Sequence, residues 1–157
     1  METHVLTYEH ISNQKDLSFF VDVIYNNFIN LKLYTYLTHT KEDILRNLTS
    51  PNSIIIIITF ENKIIGFLTG NIMVLDDRRK VFFISYIYVA ESERNKKIGT
   101  KLMNIAENIG KENKCIGMLL IFDTSNRILV NFYENRGYML DINLRRYEVH
   151  DVYYKTL

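Results

Sequence analysis

The chain has a single cysteine, a single proline and six glycines in 157 residues. One cysteine, Cys115, excludes an internal disulfide, so the fold must rest on its own core. No histidine partner is suggested near it, and the thiol reads as a reduced group at the start of a strand. No Gly/Ser/Pro-rich linker and no internal repeat divides the sequence. Residues 1–157 are therefore expected to form one domain around one core. The scarcity of proline goes with abundant isoleucine, asparagine and tyrosine, a bias that speaks to the source more than to the chemistry.

Charge of one sign is also missing. Nineteen Lys and Arg face eighteen Asp and Glu, a formal net charge of +1 at pH 7. No whole-molecule field draws the chain to nucleic acid or to a membrane, so any anion site must be local. The longest apolar run is Ile54-Ile55-Ile56-Ile57-Ile58. It is too short to span a bilayer and reads as a strand buried on both faces. Met1 to His10 is polar and mixed, without the pattern of a signal peptide, which leads us to expect a cytoplasmic protein. His4, His10, His39 and His150 lack the spacing of metal ligands, and no metal site is expected.

What is present is ordinary globular composition, 47% hydrophobic and 24% charged,. Val5 to Tyr8 alternates as a first strand. Asp16 to Phe28 carries Leu17, Phe20, Val21, Ile24 and Phe28 at helical spacing. Thr40-Lys41-Glu42-Asp43 has the form of a capping box and predicts a second helix through Ile44, Leu45 and Leu48. Ser50-Pro51-Asn52 stops it. Ile54 to Phe60 and Ile64 to Asn71 are strands around the tight hairpin Glu61-Asn62-Lys63. Asp76-Asp77-Arg78-Arg79-Lys80 reads as a solvated hairpin tip, with a substrate rim or a dimer contact as the other readings. Val81 to Val89 is a long strand.

Ile98, Leu102, Ile105 and Ile109 mark a helix of about four turns. Gly110 and Gly117 are expected to bracket its end. Met118 to Phe122 is a strand, Asn126 to Asn135 a short helix closed by Gly137, and Arg145 to Tyr154 a last strand. The order β, α, α, β, β, β, α, β, α, β predicts an α/β (α+β) fold. Its sheet should be mixed and mostly antiparallel, with helices on both faces and one β-α-β crossover joining two parallel strands.

Two segments carry chemistry. The first is Val89-Ala90-Glu91-Ser92-Glu93-Arg94-Asn95-Lys96-Lys97-Ile98-Gly99-Thr100, where a strand ends, a basic loop follows and a long helix starts. Free N–H groups and the dipole of a helix start bind phosphate oxygens. Gly99 allows close approach to the backbone, and Arg94, Lys96 and Lys97 add charge. Taken alone, the same residues describe a solvated basic helix start with an incidental glycine. Neither G-x-x-x-x-G-K-[ST] nor G-x-G-x-x-G occurs.

The segment resembles the pyrophosphate-gripping motif [QR]-x-x-G-x-[GA] of the GNAT superfamily of N-acetyltransferases. Arg94 stands at its first position and Gly99 at its last. Lys97 replaces the usual first glycine. That substitution is harmless if its backbone angles are ordinary, and costs affinity if the turn needs positive φ. The second segment, Asn126-Arg127-Ile128-Leu129-Val130-Asn131-Phe132-Tyr133-Glu134-Asn135-Arg136-Gly137-Tyr138, is similar to the GNAT pattern N-x-x-[AS]-x-x-[FL]-Y-x-x-x-G-[FY]. Asn126, Phe132, Tyr133, Gly137 and Tyr138 fall in register, and Leu129 departs from the small residue.

The resemblance implies a sheet splayed between the strand ending at Val89 and the strand Met118 to Phe122. The gap would admit the pantetheine arm of acetyl-CoA against the backbone of Ile87, Tyr88 and Val89. The turn Arg94, Asn95, Lys96, Lys97, Ile98, Gly99 and Thr100 would hold the diphosphate, Asn126 would orient the cofactor or the active-site loop, and Leu129 would belong to the cofactor-binding set. Tyr133 would be the acid that protonates the departing thiolate. Family members often place a base at Ser85 or Phe83, and neither is acidic here. Proton removal is then expected through ordered water held by backbone, Ser85 or Tyr86, or through an acid elsewhere, for which Asp123 is a candidate whose other reading is a helix cap. Glu91 and Glu93 read as solvated loop residues.

Thr40 to Leu45 and Asn131 to Gly137 resemble segments of the spermidine/spermine and thialysine N-acetyltransferases. Those enzymes have acids where this chain has Ser85 and Tyr86, which argues against a polycation. A small-molecule amine, a peptide lysine or a protein N-terminus stays open as acceptor, as does a homodimer. A non-catalytic acetyl-CoA sensor of the same fold is the alternative function.

Overall fold

The computed structural model describes residues 1–11, 17–28, 40–144 and 151–157. The strands are β1 (Glu2–Thr7), β2 (Ser53–Phe60), β3 (Lys63–Val74), β4 (Lys80–Val89), β5 (Gly117–Ile121), β6 (Met139–Leu140) and β7 (Val152–Thr156). The α-helices are α1 (Tyr8–Ile11), α2 (Leu17–Phe28), α3 (Lys41–Leu48), α4 (Ile98–Glu112) and α5 (Arg127–Glu134). One seven-stranded open sheet runs in the order β1-β2-β3-β4-β5-β7-β6. Every pairing is antiparallel except β4 with β5, the two strands joined through α4. Among the described residues no helix is long and apolar enough to cross a membrane.

The isoleucine run explains how the layers form. Ile54, Ile56 and Ile58 pack with Leu102, Met103 and Ala106 of α4 and Val130 of α5. Ile55 and Ile57 face the other way, against Phe20, Val21 and Ile24 of α2 and Ile44 and Leu48 of α3. A period of two feeds both faces from one strand, so helices cover the sheet on both sides. The hairpin to β3 turns on Glu61 and Asn62, both at positive φ, with Phe60 opposite Lys63, as a two-residue loop requires. The capping box is formed: the Asp43 N–H donates to Thr40 Oγ1 at 3.1 Å and the Thr40 N–H to Asp43 Oδ2 at 3.3 Å.

Several expectations shift. The first strand begins at Glu2, and Tyr8 opens the short α1. Gly110 lies inside α4, which runs on to Glu112 because Ile109 and Gly110 still pack toward the sheet. The short β6 was not foreseen, since two residues carry no period. The last strand begins at Val152; Arg145 to His150 and Asp16 lie outside the described residues. The β3–β4 tip is not merely solvated. Arg79 pairs with Asp77 at 2.7 Å and with Asp141 at 2.8 Å, and its guanidinium lies 4.6 Å from the Tyr154 ring centre.

Candidate active site

The site starts from a fork in the sheet. β4 pairs with β5 only from Val81 opposite Gly117 to Ile84 opposite Leu120. On its other side β4 pairs with β3, but the register jumps: Gly70 faces Ile84 and Thr69 faces Tyr86. Ser85 is the extra residue of this bulge and has no opposite number on either neighbour. Among the described residues, the β5-facing edge of β4 from Ser85 to Val89 has no strand partner. Bulges bend the strand that carries them, and here the bend coincides with the splay.

A cleft of about 550 Å³ opens along that edge. Ile87, Tyr88 and Val89 form one wall, and Ile128, Leu129, Phe132 and Tyr133 of α5 another. Ile98, Gly99 and Thr100 of α4 line its end, with Arg94, Asn95, Lys97 and Glu93 of the preceding turn. The first helical bond of α4 runs from the Lys101 N–H to the Lys97 carbonyl at 3.0 Å. The N–H groups ahead of it have no partner within the helix, and the Lys97 side chain at the cap position makes no cap hydrogen bond. A 15-residue helix thus directs an uncapped, positive end at the cleft,. Arg94 folds toward β4, its Nε donating to the Val89 carbonyl at 3.3 Å.

Lys97 does not have ordinary backbone angles. It sits at φ 63° and ψ 14°, and Asn95 at φ 62°. The position that most often holds glycine is left-handed here too, and a lysine occupies it at a steric cost.

Tyr133 is 3% exposed and lines the cleft. Its ring packs 4.7 Å from Phe122, 5.1 Å from Phe132 and 5.8 Å from Tyr138. Burial pushes its phenol far above the ordinary tyrosine value, with Arg136 opposing weakly. The group therefore keeps its proton at neutral pH and has it available to donate. Gly137, at φ 88°, closes the turn after α5, and the Tyr138 N–H bonds back to the Tyr133 carbonyl at 3.1 Å.

The remaining expected residues stand outside the lining. Asn126 caps α5: its Oδ1 accepts from the N–H groups of Ile128 at 3.1 Å and Leu129 at 3.4 Å. Lys96 Nζ lies 3.2 Å from both carboxylate oxygens of Glu93. Asp123 accepts from the Ser125 N–H at 3.0 Å and Ser125 Oγ at 2.5 Å, ordering the turn into α5. Tyr86 packs with the α2–α3 core, and Ser85 marks the bulge. Four lining residues were not foreseen: Asn27, Glu93, Ile128 and Phe132. Phe132 and Ile128 belong to the α5 segment and share its helical face with Leu129. Asn27 comes from the last turn of α2, and no local signal ties it to the cleft.

The family model of the GNAT acetyltransferases matches residues 11–138. The chain belongs to that family and is an acetyltransferase. No curated protein matches it. Among solved structures, a chain of the NatC complex bound to Gag peptide and CoA is 18% identical, with TM-score 0.73 over 100% of this chain and 99% of that one. NAA60 of Arabidopsis thaliana, solved with a bisubstrate analogue, is 14% identical, with TM-score 0.70 over 99% and 97%. The PaiA N-acetyltransferase of Thermoplasma acidophilum, solved with coenzyme A, is 18% identical, with TM-score 0.67 over 100% of both chains. At these identities the likeness is one of fold.

Proposed function

We propose that the chain transfers the acetyl group of acetyl-CoA to a primary amine by direct attack, with Tyr133 as general acid. The observation that carries the proposal is that Tyr133 lines the same cleft as the uncapped start of α4. A diphosphate needs donors and positive charge; the helix start, Arg94 and Lys97 supply both. An amide-bearing arm needs backbone partners, and the unpaired edge of β4 offers them. The residues present therefore fit the ligand.

In the reaction the amine nitrogen bonds to the acyl carbon and the carbon–sulfur bond breaks. The departing sulfur takes the phenolic proton of Tyr133, the attacking nitrogen gives up its excess proton to solvent, and the phenol is reprotonated from solvent. A free thiol forms near pKa 8 to 9 by analogy with cysteine, at about 8.5. A phenol that keeps its proton can hydrogen-bond to the developing thiolate, which stabilises the charge as the carbon–sulfur bond breaks.

The acceptor is a peptide or small monoamine rather than a polyamine. Glu93 is the one acid on the described lining, and Lys96 already neutralises it. The peptide-bound NatC structure agrees with such an acceptor. The test is thiol release from acetyl-CoA against peptides with free N-termini, lysine peptides, amino acids, aminoglycosides and polyamines. Release with a peptide or monoamine supports the reading. Acetyl-CoA binding without release from any amine would leave a sensor. At 100-fold above Kd, binding stabilises the fold by about 2.7 kcal/mol, which a thermal shift detects.

A further inference from the structure

Leu129 stands one helical turn from Tyr133 on α5, and both residues line the cleft. Four residues of helix rise about 6 Å, and helical side chains lean back toward the N-terminus. The Tyr133 ring therefore lies over the turn that carries Leu129. Its other sides are taken: Phe122, Phe132 and Tyr138 pack around the ring at 4.7, 5.1 and 5.8 Å. Leu129 is half-buried and packs against the same core cluster. Where the pattern N-x-x-[AS] has a small residue, this chain projects an isobutyl group into the cleft wall.

An acyl group on a sulfur beside the Tyr133 hydroxyl has few directions in which to extend. The inner end of the cleft is closed. Ile84 opposite Leu120 is the last pair of β4 with β5, and Ile84, Leu120 and Phe122 are all buried in one packed cluster. The side toward α2, where Asn27 and Tyr88 line the cleft, must stay free for the attacking amine. The α4 side leads back along the cofactor to the helix start. What remains is the wall of α5, and its lining residue next to the phenol is Leu129. Close-packed surroundings do not absorb extra methylenes without strain.

We propose that Leu129 sets the acyl-chain length of the donor: its isobutyl group closes the α5 side of the acyl site, so that an acetyl group fits and longer straight-chain acyl groups do not. Leu129 is thus a specificity-determining residue. The proposal rests on the acyl-transfer reading, which places the sulfur at Tyr133. Ile128 provides an internal control. It also lines the cleft, but it is 80% exposed and turned about 100° away on the helix.

The test compares Leu129→Ala, the smaller step Leu129→Val and the control Ile128→Ala with the wild type. Calorimetry with acetyl-CoA, propionyl-CoA and butyryl-CoA reads the site without any acceptor. The wild type should bind butyryl-CoA about tenfold or more weakly than acetyl-CoA, at the low end of what methylenes decide in a tight pocket. Leu129→Ala should bring the two affinities together. Leu129→Val, one methylene shorter, should move propionyl-CoA toward acetyl-CoA, and it keeps the test available if the alanine variant folds poorly. Ile128→Ala should retain the wild-type ratio. With a free N-terminal peptide as acceptor, the acetyl-to-butyryl ratio in kcat/KM should collapse in the same order. A wild type that binds butyryl-CoA as tightly as acetyl-CoA overturns the proposal and leaves the transferase intact. So do folded Leu129 variants that keep the wild-type ratios. A wild type that turns over no amine with any of these donors strikes the transferase reading instead, and the affinity ratios still decide whether Leu129 closes the site.

Discussion

Gly99 and Phe132 face each other at the end of the cleft: a methyl carbon built on Gly99 would sit 3.5 Å from Phe132 Cζ and 3.9 Å from Val89 Cγ2. Those are ordinary contacts, so the protein itself has room for alanine there. The glycine is therefore best explained by what else must come close. Gly99→Ala should stabilise the free protein, by up to about 1 kcal/mol for a glycine replaced in a helix. For a domain of this size that is a rise in Tm of roughly 2–4 °C. The same methyl group projects among cleft-lining residues and should weaken acetyl-CoA binding about tenfold or more. Calorimetry on the variant checks both halves. Undiminished acetyl-CoA affinity would mean that the turn is not the diphosphate cradle.

Lys97 makes a second case in which local cost and ligand chemistry oppose each other. A non-glycine residue in the left-handed region costs roughly 1–2 kcal/mol. Lys97→Gly removes that strain but loosens the unfolded chain, an opposing effect of about 0.4–1 kcal/mol. The net expectation is a small gain in Tm. Binding should respond differently. If the Lys97 charge meets the diphosphate, the variant binds acetyl-CoA several-fold more weakly at low salt, and the two proteins converge as salt rises. Parallel salt dependences would show that the ammonium does not reach the ligand, and that the lysine is retained for another reason.

Much of this site was legible because its pieces are local. The uncapped helix start, the glycine at its head and the aromatic pair at Phe132 and Tyr133 each follow from one short segment. The isoleucine run also announced its double burial through its length and composition. What escaped the sequence depends on pieces brought together from afar. Asn27 reaches the cleft only because α2 packs beside β4. The bulge at Ser85 is visible only in the mismatch between two ladders. The tie from Arg79 to Asp141 spans 62 residues and turns a charged tip from solvated to anchored. The sign of φ at Lys97 was the conditional point. A motif position constrains the backbone before it constrains the side chain.

Tyr133→Phe deletes one hydroxyl and keeps the ring packing against Phe122 and Phe132. The variant should fold and bind acetyl-CoA as the wild type does. Turnover should fall roughly tenfold to a thousandfold, within the reach of general-acid catalysis. Burial holds the wild-type phenol protonated well above neutrality, so the wild type should show no alkaline loss of kcat from this group below about pH 10, the ordinary tyrosine value. A folded Tyr133→Phe protein with unchanged kcat would remove the phenol from the reaction. An alkaline limb between pH 7 and 9 that vanishes in Tyr133→Phe would mean that the phenol ionises far more easily than its burial allows.

Behind α5, Glu107 joins three elements. Its carboxylate meets Arg136 at 2.9 Å and Lys155 at 2.8 Å, and the Tyr138 hydroxyl donates to it at 3.4 Å. Burial alone would raise the Glu107 carboxyl, but the hydrogen bonds from Lys155 and Arg136 outweigh it and hold the group below the usual carboxylate range. Glu107→Gln leaves two cations side by side in a largely buried place. Removing one partner of such a cluster costs about 3 kcal/mol or more, a fall in Tm of roughly 6–12 °C. The sign of the pH dependence follows from the direction of the shift. A depressed carboxyl contributes its full stability above its unfolded value, about 4.3, and loses it as pH falls through the lower folded value. The gap between wild type and Glu107→Gln should therefore stay constant from pH 7 down to about 5 and close at lower pH. Denaturant titrations across that range check it. A gap that persists unchanged at pH 2–3 would show that shape rather than charge holds α4, the end of α5 and β7 together.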